Sequence, residues 1–184
     1  RQVELARQEL EEIILRGAEA GWPVAVHAIG DRANRNALDA FEATRDAWEP
    51  RGLRHRIEHA QCLAPDDVPR FAQLGITCSV QLSHAASDRD LADRYWGDRA
   101  EGAYAFRSLW DSGAILVNGS DAPVEELDPL ARGRPIEPTG SIWPRPTPWR
   151  AEVGSAWCRL CHDSPMLGIE SSQTFVERSR ARQG

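Results

Sequence analysis

The fold is decided by residues 24–31, VAVHAIGD, in which a short apolar run ends at a histidine and a glycine then leads into a helical segment. Two later stretches repeat this arrangement: residues 56–61, RIEHAQ, and residues 117–123, VNGSDAP. Each is a β-prone run that ends in a side chain able to bind a metal ion. Segments of helical periodicity separate these runs, and strands that alternate with helices favour a parallel sheet with crossover helices.

The periodicity along the chain predicts one helix followed by four strand–helix units. We expect helices over residues 2–20, from a cap at Asp31 to Pro50, over 65–75 and over 99–112. We expect strands over residues 24–27, 53–59, 76–81 and 114–117, and a polar loop over residues 83–97. The apolar runs 24–26 and 115–117 predict burial on both faces of the sheet. Four such units are half of a TIM (β/α)8 barrel, so the predicted class is α/β, a partial barrel.

Composition excludes several classes of function. The 184 residues suit one domain, and the net charge of −6 argues against nucleic acid as the main partner. No apolar run approaches the roughly 18 residues of a membrane span, which predicts no membrane partner. The chain contains no lysine, so a carbamylated lysine that bridges two metals is excluded. Four scattered cysteines predict reduced thiols and a cytoplasmic protein. The first residue is Arg1, which predicts a fragment or a processed product.

The character of the chain changes near residue 132. Residues 1–131 hold 14 arginines against 23 acidic residues, whereas residues 132–184 hold 8 against 5 and half of the prolines. We predict that residues 132–184 are an irregular, disordered tail, separate from a domain over residues 1–131. The tail contains Cys158, Cys161 and His162 in the C-x-x-C-H pattern of covalent haem. An export signal and a second haem ligand are not evident, which argues against haem. A zinc site formed by these residues is possible but lacks a matching second pair of ligands.

Three side chains follow strands and therefore meet at one edge of a parallel sheet: His27, His59 and Asp121. Each alone has an ordinary alternative, a buried core histidine or a helix N-cap aspartate. Together they favour a shared site, and two imidazoles with one carboxylate suit Zn²⁺ or a similar divalent ion. His84 directly follows the third strand; we predict that it contacts substrate, and the alternative is a solvated loop histidine. For His55 a structural role is favoured over metal binding.

The chain resembles the amidohydrolase superfamily and, within it, the YtcJ-like (amidohydrolase family 3) group. The resemblance covers residues 1–131 and rests on phrases at residues 27–33, 56–61, 79–84, 102–109 and 119–124. It implies a TIM-barrel hydrolase of carbon–nitrogen bonds that acts on a small-molecule substrate. It further implies that His27 and His59 are metal ligands on strands five and six. Asp121 on strand eight would bind metal and act as the catalytic general base, and His84 would face substrate.

The chain departs from this group by what it lacks. The His-x-His pair of strand one and the ligand of strand four are missing, and residues after 130 do not continue as the expected helix. A reading-frame shift near residue 131 would explain the tail. We therefore expect the C-terminal half of a barrel that is inactive alone and self-associates through its open sheet edges. The alternatives are another metal-dependent barrel hydrolase, of phosphotriesterase type, and a non-catalytic truncated product.

Overall fold

Four short parallel strands form one sheet that is not closed on itself within residues 5–125 and 127, the part of the chain described by this computed structural model. The strands are β1 (Ala25–Ala28), β2 (Arg56–His59), β3 (Thr77–Val80) and β4 (Leu116–Asn118), and they lie side by side in that order. Every neighbouring pair is parallel, which confirms the α/β class. The expected tail at 132–184, with its C-x-x-C-H pattern, lies outside the described residues.

Helices connect the strands and cover one side of the sheet. They are α1 (Arg7–Ala20), α2 (Asp31–Ala43), α3 (Arg45–Trp48), α4 (Val68–Leu74), α5 (Leu82–Ser87), α6 (Arg89–Trp96) and α7 (Phe106–Asp111). Single 3-10 turns occupy Glu49–Arg51 and Pro65–Asp67, and a longer 3-10 segment occupies Gly97–Gly102. In the described part of the chain, no helix has both the length and the apolar character needed to cross a membrane.

The connection after β3 differs from the sequence prediction. Residues 83–97, predicted as a polar loop, form most of α5 and all of α6. The buried apolar residue of each helix is an alanine, Ala85 in α5 and Ala92 in α6, while Leu82 and Trp96 pack against the core and stay partly exposed. Two such residues in each short helix are too few to produce the apolar periodicity on which the prediction depended.

Two further helix boundaries were predicted wrongly. Asp31 is the first residue of α2 and not its cap: Gly30 occupies the N-cap position, and Asp31 Oδ1 accepts a hydrogen bond from the backbone N–H of Arg32. The helix predicted over residues 99–112 begins only at Phe106. Tyr104 adopts a left-handed backbone, with φ of 53°, and this conformation separates the 3-10 segment from α7.

The two faces of the sheet have different environments. The row Val26, Ile57, Cys78 and Leu116 faces the helices, and the last three of these residues are buried. On the opposite face Ala25 and Ile115 are exposed, although the sequence predicted burial there. The prediction was wrong because the helices pack against one face only, and no described element covers the other.

Asn34 ties the carboxyl-terminal edge of the sheet to helix α2. Its side-chain amide is fully buried, and the two hydrogens of Nδ2 are shared among the carbonyl oxygens of Ala28, Ile29, Gly30 and Cys62, at 2.9–3.3 Å from the nitrogen. Ala28 ends β1, Ile29 and Gly30 follow it, and Cys62 lies in the loop after β2. One side chain therefore fixes the positions of both loops relative to each other.

Candidate metal centre

A turn in the backbone places His59 beside His27. In the sheet register His27 lies opposite Glu58, and His59 lies opposite Ala28, so regular alternation would direct the two histidines to opposite faces. His59 instead has a left-handed backbone with φ of 74°, followed by Ala60 with φ of 45°. The two imidazole rings meet edge to face with 4.5 Å between their centroids. The strained turn is thus what allows both histidines to serve one site.

The strand ladder continues past this turn and holds it in place. The Ala60 N–H donates to the Ala28 carbonyl at 3.1 Å, and the Cys62 N–H donates to the Ile29 carbonyl at 2.9 Å. Farther on, the Tyr104 N–H donates to the Gln61 carbonyl at 2.6 Å. The backbone on both sides of His59 and Ala60 is therefore hydrogen-bonded, as a strained conformation requires if it is to persist.

His84 and Asp121 complete a cluster with His59. His84 lies in the first turn of α5, and Asp121 follows β4 with a left-handed φ of 56°. His84 Nε2 lies 3.9 Å from Asp121 Oδ2, and the His84 ring stacks on the His59 ring at 5.8 Å. One potential ligand atom from each of the three residues lies within 4.8 Å of the others.

The donor set fits a divalent cation. Two imidazoles and a carboxylate are common ligands of Zn²⁺ and related ions. His59 Nδ1 is buried and has no hydrogen-bond partner among the described residues, so this nitrogen is available to a ligand. Burial, and then the neighbouring His27, lower the pKa of His59, while Asp121 opposes this shift. The lowered pKa favours the neutral imidazole, which is the form that binds metals.

All four predicted site residues line one cleft of about 240 Å³. The lining consists of His27, Ile29, His59, Gln61, His84, Asp88, Asp121, Val124 and Glu125. His27 contacts the ring of His59 but is not a member of the three-residue cluster, in which His84 takes the third place. Which two histidines bind the metal, and whether His84 contacts substrate, stay predictions.

Sequence reasoning missed a buried polar network beside the cluster. The Gln61 amide donates to the Tyr104 hydroxyl at 2.5 Å and to Asp88 Oδ2 at 3.1 Å, and the Tyr104 hydroxyl lies 3.4 Å from the same Asp88 oxygen. Tyr104 is fully buried, and burial raises its pKa, so the phenol stays protonated. The available signal was the position of Gln61, two residues after His59. Its partners lie too far along the chain for periodicity to pair them.

Close packing of two backbone segments places Tyr104. The Leu63 N–H donates to the Gly102 carbonyl at 2.9 Å, and Cys62 forms an antiparallel bridge with Ala103. A Cβ atom at Gly102 would lie only 2.0 Å from the Leu63 carbonyl oxygen. Only glycine permits this approach, so Gly102 sets the position from which Tyr104 reaches Gln61.

Comparison with known proteins agrees with this geometry. The sequence pattern of the amidohydrolase family matches residues 1–133. The chain is 42% identical over 125 residues to the protein LONG AFTER FAR-RED 3 of Arabidopsis thaliana, covering 67% of this chain and 21% of that protein. It is 38% identical over 125 residues to YtcJ of Bacillus subtilis strain 168, covering 67% and 23%.

The fold is similar to that of an uncharacterized metal-dependent hydrolase from Pyrococcus furiosus, with a TM-score of 0.60 and 33% identity. The match covers 72% of this chain and 26% of that one, so the chain spans about a quarter of the length of the relatives it matches. Sequence, fold and the His/Asp cluster agree: the chain belongs to the amidohydrolase family, and its fold is related to that of metal-dependent hydrolases.

Proposed function

We propose that this chain supplies part of the active site of a zinc-dependent hydrolase that cleaves carbon–nitrogen bonds of non-peptide amides in small molecules. The observation that carries the proposal is the convergence of His59, His84 and Asp121 at the carboxyl-terminal edge of a parallel sheet. This edge is where enzymes built on parallel α/β barrels assemble their active sites. Membership of the amidohydrolase family supports hydrolysis of an amide as the reaction.

The residues of the cleft suit such a reaction. A bound zinc ion supplies Lewis-acid chemistry, which polarises a carbonyl and makes water a stronger nucleophile near neutral pH. The Asp121 side chain keeps about a third of its surface exposed (34%), so water can reach its carboxylate. Asp121 acts as general base, takes a proton from the attacking water and returns it to the departing nitrogen. The ring of His84, 3.9 Å away, contacts the substrate beside this carboxylate.

We further propose that strands β1 to β4 are strands five to eight of a TIM barrel, and that the first four strands supply the remaining metal ligands. The exposed face of the sheet and its two unpaired edges support this assignment, because a closed barrel leaves neither. On this proposal the 184-residue chain alone is inactive and self-associates. The free buried thiols of Cys62 and Cys78 support a cytoplasmic location.

A chimera tests the proposal. Residues 5–125 replace the matching segment of the Bacillus subtilis relative, which restores a complete barrel around the His59 cluster. We expect zinc-dependent hydrolysis of simple N-substituted amides by the chimera and none by the 184-residue chain. His59→Ala in the chimera should remove zinc and turnover together, whereas Asp98→Asn, an exposed substitution outside the cleft, should change neither.

The substrate panel includes lactones and phosphotriesters beside the amides. A preference for a phosphotriester would overturn carbon–nitrogen specificity while leaving the metal site intact. A folded, monomeric chimera with undiminished zinc in the His59→Ala variant would overturn the metal site itself. Metal-dependent turnover by the 184-residue chain, eluting as a monomer, would overturn the half-barrel proposal.

A further inference from the structure

The hydroxyl of Tyr104 is a polar group on a fully buried ring, and packing alone does not require it. The ring packs beside Trp96 and Phe106, whose ring centroids lie 6.3 Å and 5.9 Å away. Phenylalanine would fill the same space without the cost of burying a hydroxyl. The hydroxyl accepts a hydrogen bond from the Gln61 amide and donates a longer one to Asp88 Oδ2, at 3.4 Å. A phenol hydroxyl can accept and donate at once, so Tyr104 joins these two residues.

One end of this network is tied to His59. Gln61 lies two residues after His59, beyond the left-handed turn, and is only 5% exposed. Its amide donates to the side chains of Tyr104 and Asp88, and its carbonyl accepts from the Tyr104 N–H at 2.6 Å. Tyr104 therefore holds Gln61 through both its backbone and its side chain. The strained turn at His59 is thus restrained on the side where the chain leaves it.

The other end of the network is tied to His84. The Asp88 N–H donates to the His84 carbonyl at 2.9 Å, across the last turn of α5. Because α5 has only six residues, it is too short to be stable alone, and contacts with other segments must fix its position. Asp88 is also the N-cap residue of α6, yet its carboxylate makes no capping hydrogen bond, which is the common role of aspartate there. The carboxylate is bound instead to Gln61 and Tyr104.

We propose that the network of Gln61, Tyr104 and Asp88 sets the position of the His84 ring relative to the His59 ring, and that Tyr104 is the positioning residue. The two rings stack with 5.8 Å between their centroids and 12° between their planes, although they belong to different elements. Groups that orient metal ligands strongly affect metal affinity, because the ligands must be held in a fixed geometry. The consequence for zinc rests on the proposed function, whereas the consequence for the two rings does not.

The first experiment uses the metal-free 184-residue chain and follows the histidine ring signals in proton–carbon NMR spectra. Tyr104→Phe removes the hydroxyl but keeps the ring, and it should move the signals of both His59 and His84. The signals of His55, whose ring packs in the helix-covered core, should stay in place. Tyr95→Phe makes the same chemical change on a residue that is 65% exposed, and it should move none of these signals.

Gln61→Ala tests the same hydrogen bond from its other end, and it carries the test if Tyr104→Phe does not fold. It should move the signals of the distant His84 as well as those of His59. Titration with zinc against a chromophoric chelator then measures the consequence for the metal site. We expect each variant to bind zinc about tenfold more weakly than the unsubstituted chain, and the double variant to bind it about as weakly as either single variant. Urea denaturation checks that each sample is folded under the conditions of the titration.

Four results would overturn the inference. They are unmoved His59 and His84 signals in a folded Tyr104→Phe variant, an equal response in Tyr95→Phe, unchanged zinc affinity in a folded variant, and losses of affinity that multiply in the double variant. A Tyr104→Phe variant that unfolds more easily but keeps its signals would likewise show a purely structural role and reject the inference.

These results are separate from those of the chimera. If the ring signals move but the unsubstituted chain binds no zinc, the positioning role is retained and the metal centre is rejected. If the chimera hydrolyses amides with zinc while the ring signals stay in place, the hydrolase is retained and this inference is rejected.

Discussion

The two sides of the sheet show how this chain separates stability from chemistry. On the helix-covered side Phe41, Ile57 and Cys78 have no exposed surface, and burial raises the pKa of the Cys78 thiol. On the other side Ile115 is about half exposed, and the polar groups concentrate at the carboxyl-terminal edge. The comparison teaches that changes on the covered side should alter unfolding, whereas changes at the edge should alter binding and turnover.

The largest expected effect is on the covered side. Phe41→Ala removes a fully buried aromatic ring and should lower the free energy of unfolding by about 3–5 kcal/mol. Ile115→Ala on the open face should cost less than about 1 kcal/mol, because half of that side chain already contacts solvent. Urea denaturation measures both variants. Equal costs would mean that the open face is covered in solution.

Asp121→Asn tests the role of the carboxyl-terminal edge of the sheet in turnover. This change preserves the shape of the side chain and removes the proposed general base, so kcat of the chimera should fall about 100-fold or more. Its unfolding midpoint should move little, because the Asp121 side chain is partly exposed and lies away from the covered core. Steady-state kinetics and urea denaturation on the same samples give both numbers. Normal turnover in a folded variant would exclude the base role.

Asn34 connects the two sides, and its replacement should affect both to a smaller degree. Asn34→Ala removes the side-chain donor that four carbonyls share, although three of them keep a backbone donor, and it should cost about 1–3 kcal/mol of unfolding free energy. It should also weaken zinc binding by the chimera, since Ala28 and Cys62 flank the residues of the site. Asn36→Ala, on the same helix but partly exposed, is the control and should cost less than about 0.5 kcal/mol. If both variants lost the same unfolding free energy, Asn34 would not be the residue that holds the two loops together.

The smallest expected effect is a pH dependence of stability that arises from His55 on the helix-covered side of the sheet. His55 stacks on Phe41 and accepts a hydrogen bond from the Val24 N–H, and burial lowers its pKa below the ordinary value of 6.5. The unfolded chain therefore binds this proton more readily than the folded one. The contribution of the neutral His55 to stability is fully present above pH 6.5 and declines as the pH falls below that value.

His55→Gln should flatten this dependence between about pH 6.5 and 5, measured by urea denaturation at several pH values. His59→Gln is the matched comparison at the edge, because burial lowers the pKa of that histidine as well. If the pH dependence of the unfolding free energy disappeared only in the His59 variant, the pH-sensitive group would lie at the cleft and not in the core.

The helix–strand order was predictable because it depends on neighbours in the sequence. The turn after β2 was not. Strand alternation sends His59 to the face of Ala28, and only the left-handed backbone at His59 and Ala60 returns its ring to His27. Nothing in a β-prone run such as residues 56–61 signals such a conformation, since neither residue is glycine. His27 and His59 line the same cleft, although regular alternation alone would have separated them.

The sequence by itself determined the α/β class and the order of helices and strands along the chain, and it placed His27, His59, His84 and Asp121 at or just after the ends of strands. Local periodicity and residue chemistry are sufficient for these, because they act within a few residues. Only the tertiary structure decided which face of the sheet is covered, and that Gln61 meets Asp88 and Tyr104 across 27 and 43 residues of sequence. Those contacts depend on how the helices pack and on the close approach at Gly102, which no local pattern encodes.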